Sequence, residues 1–223
     1  MNPETNSQTV LFEKRWPVGL TIIVVALLLW SIPDRISLIP SWIAYFACSV
    51  MLIPITAIGF SKAKPLWLKI EKYTLGFFLT FTAIGNSLNL INLVEDMLFK
   101  SSEINGIQLL SSSVAVWIIN VLLFSLLYWQ IDRGGPEERQ ISKDQKADWL
   151  FSEESAPDNF APKNWSPVFV DYLYLGYSTS TAFSTTDTMP LSKKAKLLMM
   201  LQSFISLVII VVVGARAINI IGS

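Results

Sequence analysis

The stretch INGIQLLSSSVAVWIINVLLFSLLYWQI, residues 104–131, carries no charged side chain over 28 consecutive positions. About 20 apolar residues are enough for a helix to cross the hydrocarbon core of a bilayer. Four further charge-free stretches of 18, 26, 22 and 19 residues cover residues 16–33, 36–61, 73–94 and 197–215, and we expect the last helix to continue to residue 221. A soluble chain of 223 residues cannot bury five such helices. The pattern predicts an all-α, polytopic integral membrane protein with five long spans.

The composition agrees with a membrane protein and excludes several classes of function. Only 15% of the residues are charged, whereas soluble domains carry about 25%. Seventeen basic residues balance seventeen acidic ones, so the basic excess that nucleic-acid binding requires is missing. The chain has no histidine, which excludes His-based zinc sites and Ser-His-Asp triads, and its single cysteine, Cys48, has no partner for an intramolecular disulfide. We therefore expect no enzyme, no cofactor and no nucleic-acid partner.

The order of apolar and polar segments predicts one transmembrane domain over residues 1–223. Residues 1–131 supply four spans, residues 132–165 form a polar loop, and residues 166–223 hold a distinct segment and the final helix. Within the loop, Trp149, Leu150 and Phe151 are apolar enough to dock on the membrane or on the helix ends. Trp16 and Trp30, and Tyr128 with Trp129, stand where aromatic residues favour the bilayer boundary.

A stripe of three amides follows one face of the third predicted span. Asn86, Asn89 and Asn92 are spaced by three residues, so they share a helical face. Such side chains avoid lipid and face protein or a water-filled cavity. Hydrogen bonding between helices and the lining of a permeation path are both consistent with this stripe.

Residues 166–187 read SPVFVDYLYLGYSTSTAFSTTD and differ from every other apolar stretch. Seven of the nine residues 178–186 are serine or threonine, which is too many hydroxyls for a helix that faces lipid. We expect residues 167–186 to be at least half helical and buried against the final helix. A close approach at Gly176 and a polar stripe at Ser203 and Ser206 would allow this packing.

The order of a short helix, a hydroxyl-rich strand, an acid, a basic turn and a long helix resembles the pore-loop module of the potassium-channel superfamily, ungapped over about 35 residues. Positions typical of the pore helix and of the segment after the filter are occupied by Asp171, Tyr174, Thr179, Thr181, Asp187 and Pro190. Positions typical of the inner helix are occupied by Lys196, Leu197, Leu198, Gln202 (commonly glutamate in that family) and Ser206 (the hinge glycine there). The resemblance implies a ring of chains, typically four, around a path for monovalent cations.

The filter itself departs from that family. Where the family has T-V-G-Y-G, this chain has Ala182, Phe183, Ser184, Thr185 and Thr186. Glycine allows the backbone conformations that place successive carbonyls around an ion, whereas a β-branched threonine is strained there. We therefore expect no potassium-type filter, but a hydroxyl-lined path over residues 181–187, at the mouth of which Asp187 is the most important acid.

The tail DYLYLGYSTSTAFSTTDTMPLSKKAKLLMMLQ, residues 171–202, is also similar to a bacterial family of small multi-span membrane proteins without a characterised activity. That resemblance extends back through Trp129 and the run Arg133, Gly134, Gly135, Pro136. It implies a multi-pass protein of the bacterial inner membrane.

Basic residues predict the orientation. The positive-inside rule places the lysine-rich loop between spans two and three in the cytoplasm, together with the loop of residues 132–165. Before residue 166, eleven basic residues then lie inside and two outside. A potassium-channel module enters from outside, so three hypotheses remain: the segment re-enters from the cytoplasm, it is a sixth span, or the rule fails here.

Three classes of function remain open from the sequence. The leading one is an ion-conducting homo-oligomer. The alternatives are a channel-derived scaffold or sensor that does not conduct, and a small-solute transporter or intramembrane enzyme.

Overall fold

The computed structural model describes residues 13–33, 41–60, 65–99, 106–141, 145–157, 160, 165–181 and 187–221. Its helices are α1 (Trp16–Ser31), α2 (Ser41–Phe60), α3 (Pro65–Phe99), α4 (Gly106–Ile131), α5 (Pro136–Ile141), α6 (Ser152–Ser155), α7 (Phe169–Thr181) and α8 (Lys193–Ile221). The strands β1 (Trp149–Leu150) and β2 (Met189–Pro190) form one short antiparallel pair. The prediction of an all-α architecture is confirmed.

Three helices within the described residues are long and apolar enough to cross a membrane. These segments are Leu66–Glu95, Leu110–Gly134 and Lys193–Gly214. Trp16–Ser31 and Tyr45–Gly59 are apolar but shorter, so the described residues do not show the five long spans that the sequence predicts. The sequence prediction of spans in α3, α4 and α8 is therefore confirmed at the level of length and composition.

Helix α4 is the centre of the bundle. It packs against α1, α3, α7 and α8, while α2 completes the bundle against α1 and α3. Its apolar side chains Val116, Ile119 and Leu126 are fully buried. Because α4 packs against four other helices, the depth of a residue in the bundle can be described by the α4 residue that lies beside it.

The chain reverses sharply where α4 ends. A single 3-10 turn, Asp132–Gly134, follows Ile131, and Arg133, Gly134 and Gly135 all have positive φ angles. Glycine adopts such angles without steric cost, which explains the pair at this position. We call this end of the bundle, where α1 and α3 also begin, the polar end.

The loop after α4 folds back onto the polar end. Trp149 of β1 is fully buried, and its ring lies 4.8 Å from the ring of Tyr128. The predicted docking of this aromatic segment on the helix ends is confirmed. The boundary role predicted for Tyr128 and Trp129 is wrong, because the loop and α7 cover both side chains completely. Trp16 and Trp30, by contrast, are exposed.

Helix α7 lies between α4 and α8. Thirteen residues, 169–181, are helical within the described part of 167–186, which meets the expectation of at least half, and the buried face includes Ser178, Thr179 and Ser180. We expected Gly176 to allow a close approach of the final helix. In the structure, the helix that comes close to Gly176 is α4. A Cβ atom at Gly176 would lie 2.2 Å from Oγ of Ser125 and 3.2 Å from the carbonyl oxygen of Val121.

Replacing Gly176 by alanine tests this contact. The new methyl group must push α7 away from α4, so Gly176→Ala should lower the free energy of unfolding by about 1–3 kcal/mol. Gly76→Ala is the matched control, because a Cβ there meets nothing within 4 Å and alanine favours a helix. Thermal unfolding of both purified variants in detergent measures the difference. Equal melting temperatures would contradict the close packing of α4 and α7.

Candidate functional site

Helix α7 enters the bundle from the polar end. In its first turn the Tyr172 hydroxyl donates to Oδ2 of Asp132 at 2.6 Å. Near the C-terminal end of α7, the Tyr177 ring lies 6.2 Å from the Trp117 ring. Trp117 is on α4, about four helical turns before Asp132. With 13 residues, α7 is about 20 Å long, which is shorter than the hydrocarbon core of about 30 Å.

The chain then returns to the end from which it came. After α7, strand β2 pairs with β1, so that Pro190 is opposite Trp149. The backbone N–H of Leu191 donates to the carbonyl oxygen of Asp148 at 2.9 Å, and that of Asp148 donates to Oδ1 of Asp132 at 2.8 Å. The start of α7 thus contacts the turn after α4 directly, and the segment before α8 is connected to the same turn through Asp148.

A fully buried amide, that of Gln202 on α8, connects the three helices at the inner part of α7. Its Nε2 donates to the carbonyl oxygen of Gly176 and to Oγ of Ser180, both at 2.7 Å. Its Oε1 accepts from the hydroxyl of Tyr128 on α4 at 2.5 Å. One side chain therefore satisfies polar groups on α4 and α7 where no water from the bulk reaches them.

Two further bonds extend this junction along α8. Ser203 donates to the carbonyl oxygen of Thr179 at 3.0 Å. The amide of Asn120, in the middle of α4, donates to Oγ of Ser206 at 3.0 Å. The polar stripe expected at Ser203 and Ser206 thus exists, but only Ser203 faces α7.

The predicted pore-helix residues take several roles. Asp171 accepts from the backbone N–H of Val168 at 2.7 Å, and partial burial raises the pKa of its carboxyl although this bond lowers it. Tyr174 is half exposed, and Thr181 donates to the carbonyl oxygen of Ser178 within α7. The structure therefore brings Thr179, Gln202 and Ser206 into one junction and leaves Asp171 and Tyr174 outside it.

The predicted path itself lies almost wholly beyond the described residues. Ala182, Phe183, Ser184, Thr185 and Thr186 are outside them. Asp187, the residue at which the description resumes, is exposed and directly precedes the buried Thr188 at the polar end.

A buried ionic cluster holds the start of α7, and the sequence did not predict it. Arg15, just before α1, forms ion pairs with Glu71 of α3 at 3.0 Å and with Glu137 of α5. Glu13 accepts from the backbone N–H of Phe169 at 2.7 Å. A carboxylate at a helix N-terminus satisfies a free N–H and opposes the positive end of the helix dipole.

Asp132 and Arg139 form the second half of the cluster. The Asp132 side chain is fully buried, and Arg139 lies with its guanidinium 4.9 Å from the Tyr172 ring centre while donating to the carbonyl oxygen of Trp129 at 2.6 Å. Burial raises the pKa of the Tyr172 phenol well above its ordinary value, so the phenol stays protonated and donates to Asp132.

Some of these residues carried a signal that the sequence analysis left unused. Asn120 is the one amide among residues 109–129, in the middle of a charge-free stretch, which marks it as facing protein. Glu13 gave no comparable signal, because it lies 156 positions before its partner Phe169. In the parts of the chain that the structure describes, no group of three or more acidic or cysteine side chains is placed to hold a metal ion. Comparison with protein-family models, curated proteins and solved structures finds no match for this chain.

Replacing Gln202 by methionine tests the junction. Methionine keeps the volume but leaves the Gly176 carbonyl and the Tyr128 hydroxyl without a partner, so the free energy of unfolding should fall by about 2 kcal/mol or more. The neighbouring Leu201→Met is the matched control, because it keeps both volume and apolar character at a half-exposed position. Thermal unfolding in the same detergent compares them, and equal stability would show that the buried amide contributes little.

Proposed function

We propose that this chain is one subunit of an oligomeric membrane protein that conducts monovalent cations through a re-entrant segment. Helices α1, α2, α3, α4 and α8 cross the bilayer, while α7 and the residues after it enter from the polar end and return to it. The observation that carries the proposal is that the start of α7 bonds Asp132, in the turn after α4, while the segment before α8 bonds Asp148, whose own N–H donates to Asp132.

Helix lengths support five crossings and one re-entry. At 1.5 Å per residue the 16 residues of α1 span about 24 Å and the 20 residues of α2 about 30 Å. Both pack beside the longer helices. Helix α7 covers only about 20 Å, and the eight residue steps from Thr181 to Met189 can cover that distance on the return.

The distribution of basic residues supports a cytoplasmic polar end. Most lysines and arginines in the described residues lie there, namely Lys14, Arg15, Lys69, Lys72, Arg133, Arg139, Lys146, Lys193, Lys194 and Lys196. Arg216, near the other end of α8, is the exception among those residues. A re-entrant segment keeps the three lysines of α8 with the others, whereas a sixth span would separate them.

The direction of α7 favours a cation near its inner end. The helix runs from the polar end inwards, so the negative end of its dipole lies at Thr181, deep in the bundle. Residues 182–186 then offer hydroxyls but no glycine, which favours several monovalent cations over selective passage of potassium. A pore that takes one such segment from each chain requires a ring of chains.

One observation favours a non-conducting scaffold as the second candidate. The Ser178 hydroxyl donates to the carbonyl oxygen of Tyr174, and that of Thr181 to the carbonyl oxygen of Ser178. These hydroxyls are satisfied inside α7 and need no ion or water.

Cation flux into liposomes separates the two candidates. Purified protein should form an oligomer in detergent and should pass potassium and sodium at comparable rates, but not N-methylglucamine. Asp187→Asn should slow the flux at low salt by up to about tenfold, because an acid at a pore mouth concentrates cations. Glu153→Gln, which removes an acid from the same end of the bundle, is the control and should leave the flux unchanged.

Three other outcomes would contradict parts of this proposal. A monomer without flux would favour the scaffold, and a flux selective for potassium would contradict the argument from the missing glycines. Equal flux in the wild type and in Asp187→Asn would remove the special role of that acid.

A further inference from the structure

Two amide oxygens in the interior of the bundle have no hydrogen-bond donor among the described residues. Asn86 and Asn89 of α3 are 5% and 3% exposed, and Oδ1 of each is buried and unpartnered. The amide nitrogen of Asn86 makes a long bond of 3.4 Å to the carbonyl oxygen of Val116. Buried acceptors are nearly always satisfied by protein or by ordered water, so these two oxygens point to a bound donor.

A cavity adjoins the first of these oxygens. It has a volume of about 170 Å³ and lies between α3, α4 and α8, where Asn86, Ser87 and Asn120 line it together with leucine, alanine and phenylalanine side chains. Since one water takes about 30 Å³ of liquid volume, the cavity has room for several. Most of its lining is apolar, but three polar side chains are enough to bond an ordered water, which needs two to four polar partners.

Further polar side chains lie beyond the cavity, whose lining on α3 ends at Asn86 and Ser87. Asn120 connects it through Ser206 to the α8 junction. In the other direction the Asn86–Val116 contact sets the antiparallel register, so Asn89 lies near the level of the buried Ser113. Asn92, one step further from the polar end, is partly exposed.

We propose that a column of water occupies this face between α3 and α4, from Asn92 through Asn89 to the cavity beside Asn86. The column enters at the end of the bundle opposite the polar end and supplies the missing donors. It lies within a single chain and is separate from any path formed by the re-entrant segments of several chains. The water column does not depend on whether the protein conducts ions.

Thiol labelling in nanodiscs tests the column directly. In a Cys48→Ala background, cysteines are placed singly at Asn92, Asn89 and Asn86, and each variant is treated with a charged, lipid-insoluble thiosulfonate. The reagent needs the thiolate, which forms only in contact with water. Ile84→Cys and Ile91→Cys are the matched controls, because they lie at the same depths on the exposed apolar face of α3.

The column predicts a graded result. Labelling should be fastest at residue 92, slower at 89 and slowest at 86, and still about tenfold faster at 86 than at either control position, because the lipid face excludes the reagent. If residues 86 and 89 react no faster than residues 84 and 91, lipid or side chains fill the space and the proposal is wrong. Should Asn86→Cys fail to fold, Asn89→Cys decides alone, since the side-chain oxygen of Asn89 has no donor to lose among the described residues.

Discussion

The inner half of this bundle depends on the hydrogen bonds that the Gln202 side chain makes to α4 and α7. Helix α7 has only 13 residues, and the polar side chains near its inner end, Ser178, Thr179 and Ser180, are buried and need partners within the protein. Gln202 donates to the Gly176 carbonyl and to Ser180 and accepts from Tyr128, and Ser203 donates to the carbonyl oxygen of Thr179. These bonds require α7 to lie close to both neighbours, which Gly176 permits on the α4 side.

The polar end fixes the other half of α7 by a different kind of interaction. There the acceptors are carboxylates. Glu13 accepts a hydrogen bond from the backbone N–H of Phe169, and Asp132 accepts from the Tyr172 hydroxyl and from the backbone N–H of Asp148. Asp132 therefore contacts both the entering helix and the loop on which the returning strand β2 rests. Together with Arg15 and Arg139, these residues connect the segment before α1 to the start of α7.

The sequence was sufficient for elements that local patterns define. Charge-free length identified α3, α4 and α8, and the hydroxyl-rich composition after Gly176 identified a segment whose hydroxyls are buried. It was not sufficient for side-chain environments that depend on distant segments. Tyr128 and Trp129 look like boundary aromatics until the loop and α7 cover them, and Glu13 meets Phe169 across 156 positions. Such contacts follow from the packing of whole helices, which no local periodicity encodes.

The sidedness of residues on each side of α7 tests the central claim most directly. In a Cys48→Ala background, single cysteines at Ser166 and Asp187 are treated with an impermeant maleimide on intact and on permeabilised cells. Lys146→Cys marks the polar end and Gln108→Cys the opposite end, and all four positions are exposed. A re-entrant segment predicts that residues 146, 166 and 187 react only after permeabilisation, whereas residue 108 reacts in intact cells. Labelling of residue 187 from the side of residue 108 would show that the segment crosses the membrane.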